Sequence, residues 1–196
     1  QIELGRTASV SDVTTLEPDV VILATGATMI PPSWLPIEVR DAGFVLDLRE
    51  TMAGLLGVSS KQPGTAVIFD MDHTEGTYAM AERLHALFER VVILTPRHSL
   101  ADDMAVVTRQ GVLRRLYTKK IDIHLLALPI WTDEVENGVL TWEHVITHER
   151  HQINDVALVT YSTPRKRNDE LAAPLSQLGI NVVLVGDCKS PRDMIA

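Results

Sequence analysis

The residues best placed to do chemistry are Asp70-Met71-Asp72-His73-Thr74-Glu75-Gly76, in the stretch TAVIFDMDHTEGTYAMAERL from Thr65 to Leu84. An apolar run, Ala66 to Phe69, comes just before them. A helical pattern follows, with Tyr78, Ala81, Leu84, Leu87 and Phe88 three or four apart. A strand, a tight turn and an amphipathic helix in that order open a doubly wound α/β unit, and such a turn is where a dinucleotide would sit. Holding a pyrophosphate there calls for G-x-G-x-x-G, because glycine permits the turn and lets the backbone approach the phosphates at the helix N-terminus. This turn offers one glycine, Gly76. Its other positions carry side chains, and Asp70, Asp72 and Glu75 would face a dianion. At roughly 4 Å and an effective dielectric near 20, each such pair costs about 4 kcal/mol before screening. The helix dipole returns only about 0.3–1 kcal/mol. NAD(P) binding is therefore not expected here.

Other residues invite functional readings and yield plainer ones. Arg97 and His98, just past the next apolar run, have the types for a 2′-phosphate site, but without a glycine loop they read as surface polar groups. His144, His148 and His151 have suggestive spacing for a metal. On a hairpin strand, however, His144 and His148 do not converge, and solvated edge histidines are expected. Trp131 and Trp142 flank that hairpin and could pair across it, which is structure rather than ligand stacking. Cys188 has no base in sequence reach, so a nucleophilic role is not expected. The single cysteine also excludes an internal disulfide and a cysteine-held iron–sulfur cluster within this chain.

Composition narrows the partners. A net charge of −8 disfavours nucleic acid, and the one basic run, Arg165-Lys166-Arg167, reads as a solvated loop beside Pro164 and Asn168. No apolar stretch approaches the roughly twenty residues of a membrane span, and no signal peptide opens the sequence, so a cytoplasmic location is expected.

The elements that position these residues follow from periodicity. Asp19 to Ala24 is a buried strand ending in Thr25-Gly26-Ala27, with Ser11 or Asp12 capping a short turn before it. The prolines at 31, 32 and 36 interrupt regular structure and mark a domain boundary. Asp47 to Leu56 is helical. Val91 to Thr95 is a second buried strand and Ile121 to Ala127 a third. Between these two strands, Asp102 to Lys120 forms a helix with Val106, Val107, Leu113 and Leu116 on one side. Asn137-Gly138 predicts a two-residue hairpin turn between 131–136 and 139–146. Asp155 to Thr160 and Asn181 to Val185 are strands, with a helix over 168–178 between them.

Two resemblances emerge. Val67 to Thr74 is similar to the first motif of the haloacid dehalogenase superfamily, D-x-D-x-T after four apolar residues. That resemblance implies a magnesium-dependent phosphohydrolase, with Asp70 as nucleophile and Asp72 as general acid/base. Thr95 would fit its second motif and Gly186-Asp187 its late acidic one. Against it, a complete strand precedes the motif, His73 stands where glycine is usual, and Asp193 is far for a second late carboxylate. No lysine stands at a strand tip either.

The second resemblance spans the chain. Asp19 to Ala27 resembles the ATG segment of two-domain flavoprotein disulfide reductases, and Val182 to Cys188 resembles their terminal strand-Gly-Asp segment. With Val45 to Glu50, the Ala81-Glu82-Arg83-Leu84 helix and the ending Gly186-Asp187-Cys188-Lys189-Ser190-Pro191-Arg192, the chain resembles the C-terminal region of the Old Yellow Enzyme-like family of trimethylamine dehydrogenase and 2,4-dienoyl-CoA reductase. This resemblance implies an α/β fold: a Rossmann-like, three-layer domain with a central parallel sheet and a β-hairpin, inserted into part of an FAD/ADP-type domain. The expected boundaries are 1–31 with 151–196 for the outer domain and 32–150 for the insert. It also implies FAD or ADP lined by Thr25, Gly26, Gly186 and Asp187. FMN, the substrate and an iron–sulfur cluster would belong to an N-terminal barrel region preceding Gln1, making this chain the non-catalytic rear part of a flavin-dependent oxidoreductase. An electron-transfer protein is the implied acceptor, with the insert either a degenerate nucleotide domain or a docking scaffold.

Overall fold

The computed structural model describes residues 2–191, so Arg192 of the Gly-Asp-Cys ending and Asp193 lie outside it. In chain order the first elements are α1 (Val10–Thr14), β1 (Val20–Leu23), β2 (Ala27–Met29), α2 (Ile37–Asp41) and α3 (Leu48–Gly54). Next come β3 (Gln62–Asp70), α4 (Glu75–Leu87), β4 (Phe88–Leu94), α5 (Val106–Thr118), β5 (Asp122–His124) and β6 (Ala127–Ile130). The last are β7 (Leu140–His144), β8 (Arg150–Ile153), β9 (Val156–Ser162), β10 (Arg165–Arg167), α6 (Ala172–Gln177) and β11 (Asn181–Leu184). Contacts divide the chain into two units, Gln1–Thr28 with Arg165–Ala196, and Met29–Pro164.

The larger unit is built on a four-stranded sheet in the order β5-β4-β3-β9, parallel throughout. Both faces are covered, which is why its strands read as unbroken apolar runs. Alternate residues serve alternate faces. Ala66, Ile68, Val91 and Ile93 join Tyr78, Leu84, Val112 and Leu116 in a core under the helices. Val67, Phe69, Val92 and Leu94 join Leu140, Trp142 and Ile153 on the other side, where β6-β7-β8 form an antiparallel sheet. Helices, parallel sheet and antiparallel sheet make the three layers of a Rossmann-like α/β domain.

Several local expectations change. The hairpin exists, but β6 pairs with β7 from Ala127↔His144 to Ile130↔Thr141, and Asp133–Asn137 is a 3-10 helix closed by Gly138 at φ 77°. The expected third strand over 121–127 is likewise divided, into β5 and β6. Val106 and Val107 are exposed at 69% and 81%, so α5 fully buries only Val112 and Leu116, with Leu113 half-buried against the same core. Contacts also part the chain at 28/29 and 164/165, later at the second crossing than the expected 150/151. The reason is pairing: β8 lies beside β7, and β9 runs along β3 from Thr65↔Val156 to Asp70↔Ser162.

In the smaller unit, β1 and β11 pair in parallel from Val20↔Asn181 to Leu23↔Leu184. The cap of α1 is Ser9 rather than Ser11 or Asp12. Asp12 instead completes a capping box, accepting from the Ser9 amide at 2.8 Å. β2 and β10, where the chain crosses between units, form a second two-stranded sheet. Arg165–Arg167 is thus a strand, not a solvated loop, and the Arg165 side chain is only 7% exposed.

Candidate functional site

The acidic turn of the larger unit is closed from inside. Asp70 shares the helix-facing side of β3 with Ala66 and Ile68, and it is fully buried. Its Oδ1 accepts from the His73 amide at 3.0 Å and its Oδ2 from the Tyr78 hydroxyl at 2.9 Å. His73 has φ 53° and its imidazole is buried. The Ala101 amide donates to Nδ1 at 3.1 Å, which leaves the ring proton on Nε2, 3.2 Å from the Thr95 hydroxyl. One histidine therefore ties the turn after β3 to the loop after β4. Burial raises the Asp70 carboxyl and the Tyr78 hydroxyl above their usual ranges and lowers the His73 imidazole.

This geometry overturns the magnesium phosphohydrolase reading. A nucleophilic carboxylate must reach the substrate, but Asp70 points into the protein with both oxygens engaged. Asp72 accepts from Thr74 Oγ1 at 2.9 Å, and Thr95 serves His73. It also corrects how the turn disfavours a dinucleotide. Asp70 does not face outward among the repelling carboxylates, the His73 ring is buried against Tyr78, Ala101 and Thr95, and the turn keeps a single glycine, Gly76. The residues present do not fit a pyrophosphate.

The loop after β4 is internally paired: Arg97 with Asp103 at 2.6 Å, Arg109 with Asp102 at 2.6 Å, and His98 near Asp102 at 3.5 Å. The three histidines do not converge either. His144 Nδ1 accepts from the Thr147 amide at 3.1 Å, His148 meets Glu143 at 2.9 Å, and His151 stacks on Trp142 with ring centres 4.3 Å apart. Trp131 lies against Trp34 at 6.5 Å instead of pairing with Trp142. Among the described residues no three His, Cys, Asp or Glu side chains gather as a metal site.

In the smaller unit, Thr25, Gly26, Gly186 and Asp187 come together. β1 and β11 run side by side and end level, with the Val185 amide donating to Leu23 O at 3.0 Å. All four residues follow directly from the carboxyl ends of these parallel strands, the place where open α/β sheets bind ligands. Gly26 and Gly186 have φ 73° and 60°, and a Cβ on either would meet nothing within 4 Å. The space over both backbones is therefore open. Asp187 accepts from Arg165 Nη1 at 2.8 Å. Sequence reasoning missed Arg165 and Asn168. Asn168 donates its amide to Gly26 O at 3.1 Å and its Nδ2 to Thr25 O at 3.1 Å, while Cys188, fully buried, donates to Asn168 O at 3.3 Å.

No protein-family model matches the sequence, and no curated protein matches it. Solved structures do match. Histamine dehydrogenase from Rhizobium sp. 4-9 superposes with a TM-score of 0.71 at 21% identity, covering 95% of this chain and 30% of that one. 6-Hydroxypseudooxynicotine amine oxidase from Pseudomonas geniculata N1 gives 0.77 at 20% identity, covering 98% and 29%. Lactococcus lactis thioredoxin reductase gives 0.63 at 15% identity, covering 89% and 58%. The first two are members of the trimethylamine dehydrogenase and Old Yellow Enzyme-like family that the sequence motifs resemble. The chain shares their fold and spans about 30% of their length. Among the described residues no helix is long and apolar enough to cross a membrane.

Proposed function

We propose that this chain is the nucleotide-binding rear portion of a flavin-dependent oxidoreductase of the amine dehydrogenase or enoate reductase kind. The observation that carries this reading is the meeting of Thr25-Gly26 with Gly186-Asp187 at the carboxyl ends of two paired parallel strands, under open space. The smaller unit would hold the ADP part of FAD, or ADP itself, with Asp187 accepting from a ribose hydroxyl and the two glycines admitting the phosphates. The flavin chemistry, an FMN and an iron–sulfur cluster would reside in a barrel region outside this sequence. One cysteine, already engaged with Asn168, cannot hold a cluster here.

The larger unit, 29–164, would serve as a Rossmann-shaped scaffold that binds neither NADH nor NADPH, and electrons would leave to a protein acceptor in the cytoplasm. Titration of the chain with ADP, FAD, NADH and NADPH under amide-resolved NMR tests the assignment. ADP or FAD should move the Thr25, Gly26, Gly186 and Asp187 resonances, and the dinucleotides should leave the Asp70–Gly76 turn unmoved. Micromolar NADPH binding at that turn, or ADP shifts confined to the larger unit, would overturn it.

A further inference from the structure

We propose that Asn168 is the positioning residue of the ADP site in the smaller unit, an inference that rests on the reading above. Gly26 and Gly186 both sit at positive φ, where glycine is freest, so something else must hold the backbone still for a ligand to be recognised. A two-stranded sheet such as β1-β11 supplies little rigidity of its own.

Asn168, one residue past β10, supplies that hold with its backbone and its side chain together. Its N–H donates to Gly26 O and its Nδ2 to Thr25 O, both at 3.1 Å. Its Oδ1 accepts from Thr28 Oγ1 at 2.8 Å. Its carbonyl accepts from the Thr25 hydroxyl and from Cys188 Sγ. Thr25 Oγ1 also lies 3.2 Å from Cys188 Sγ, so the segment after β1 and the turn after β11 meet on one residue.

The direction of these bonds has a consequence for binding. In a trans peptide the N–H points opposite to the C=O of the same plane. With Thr25 O held by Asn168 Nδ2, the Gly26 N–H, which points the opposite way within the same peptide plane, is fixed in direction. A nucleoside diphosphate oxygen that reaches this N–H would meet a donor already held in place. Asn168 thus acts through Gly26 without itself contacting the ligand.

The test compares wild type, Asn168→Ala, Asn168→Asp and Thr28→Val for ADP affinity by calorimetry, with the Gly26 amide resonance as a second reading. Asn168→Ala removes the bond to Thr25 O, and its ADP affinity should fall about tenfold, with the Gly26 amide displaced in the unliganded protein. Asn168→Asp keeps the acceptor for Thr28 but sets a carboxylate against Thr25 O, and should lose as much. Thr28→Val, which spares Thr25 and Gly26, should retain most of the affinity. A purely structural role would lower thermal stability in Asn168→Ala and Thr28→Val alike and leave ADP affinity of the folded proteins unchanged. That result overturns the inference and leaves the ADP site standing. Should wild type bind neither ADP nor FAD, the site assignment falls and the inference with it. If Asn168→Ala fails to fold, Asn168→Asp carries the same comparison.

Discussion

Asp70, His73 and Tyr78 show how little of a charged residue's role its type reveals. Burial moves Asp70 above its usual 3.8 and His73 below its usual 6.5, and the two shifts act oppositely on stability. Between its folded pKa and 6.5, His73 binds more protons unfolded than folded, so its contribution is lost as pH falls through that window. Asp70 binds more protons folded than unfolded above 3.8, so its contribution is present below 3.8 and lost as pH rises through its folded pKa. Asp70→Asn should abolish the second trend and leave stability rising with pH toward neutrality. Urea midpoints from acid to neutral pH would show it, and parallel curves for variant and wild type would refute it. The His73 ring invites a sharper comparison. His73→Ala strands the Ala101 amide and takes one of two partners from the Thr95 hydroxyl, which keeps the Arg97 amide, and should cost about 1–3 kcal/mol. His73→Asn offers an oxygen near the Nδ1 position and tolerates φ 53°, so it should cost less. The strand parity that places Asp70 with Ala66 and Ile68 was legible in the sequence. Two partners were not: Tyr78, eight residues on, and Ala101, twenty-eight residues beyond His73, whose approach depends on the whole β3-α4-β4 crossover.

At the scale of elements, periodicity located the buried strands well and misjudged faces wherever an element lies half in solvent. α5 is the clearest case. Val106, Val107, Val112, Leu113 and Leu116 can be drawn as one apolar stripe, yet the first two lie in the opening turn and face outward. Val112→Ala, in the core under the helices, should therefore cost about 2 kcal/mol, and Val107→Ala should stay within about 0.5 kcal/mol. Equal losses in urea denaturation would mean that α5 packs in another register. Gly64 governs the entry to β3. It has φ 88°, and a Cβ there would come within 2.7 Å of Asp155 O, the carbonyl that accepts from the Thr65 amide. Gly64→Ala should destabilise by at least about 1 kcal/mol, because neither the backbone angle nor the neighbouring carbonyl can yield cheaply. β8 and β9 escaped their domain assignment for a related reason. A strand's partner is not written in its own residues, and β9 reads equally well as an edge of either unit until it is paired with β3.

For the molecule as a whole, the two units differ in how far they can stand alone. The larger owns both hydrophobic cores, all the strands of its four-stranded and three-stranded sheets, and the three tryptophans, Trp34, Trp131 and Trp142. The smaller rests on two-stranded pairing and leaves Leu16 at 79%, Val20 at 48%, Ile22 at 65% and Val183 at 42% exposed. A two-stranded sheet with apolar residues open to water is marginal by itself. The matched dehydrogenase and amine oxidase are about three times as long as this chain. Stability should therefore reside in the insert. Residues 29–164, expressed alone, should unfold cooperatively in urea, with a tryptophan-fluorescence midpoint close to that of the 196-residue chain. A broad, non-cooperative transition in the excised segment would show that its cores depend on the smaller unit. In that event the independence read from the contacts would be wrong, and so would the view of the larger unit as a self-standing scaffold.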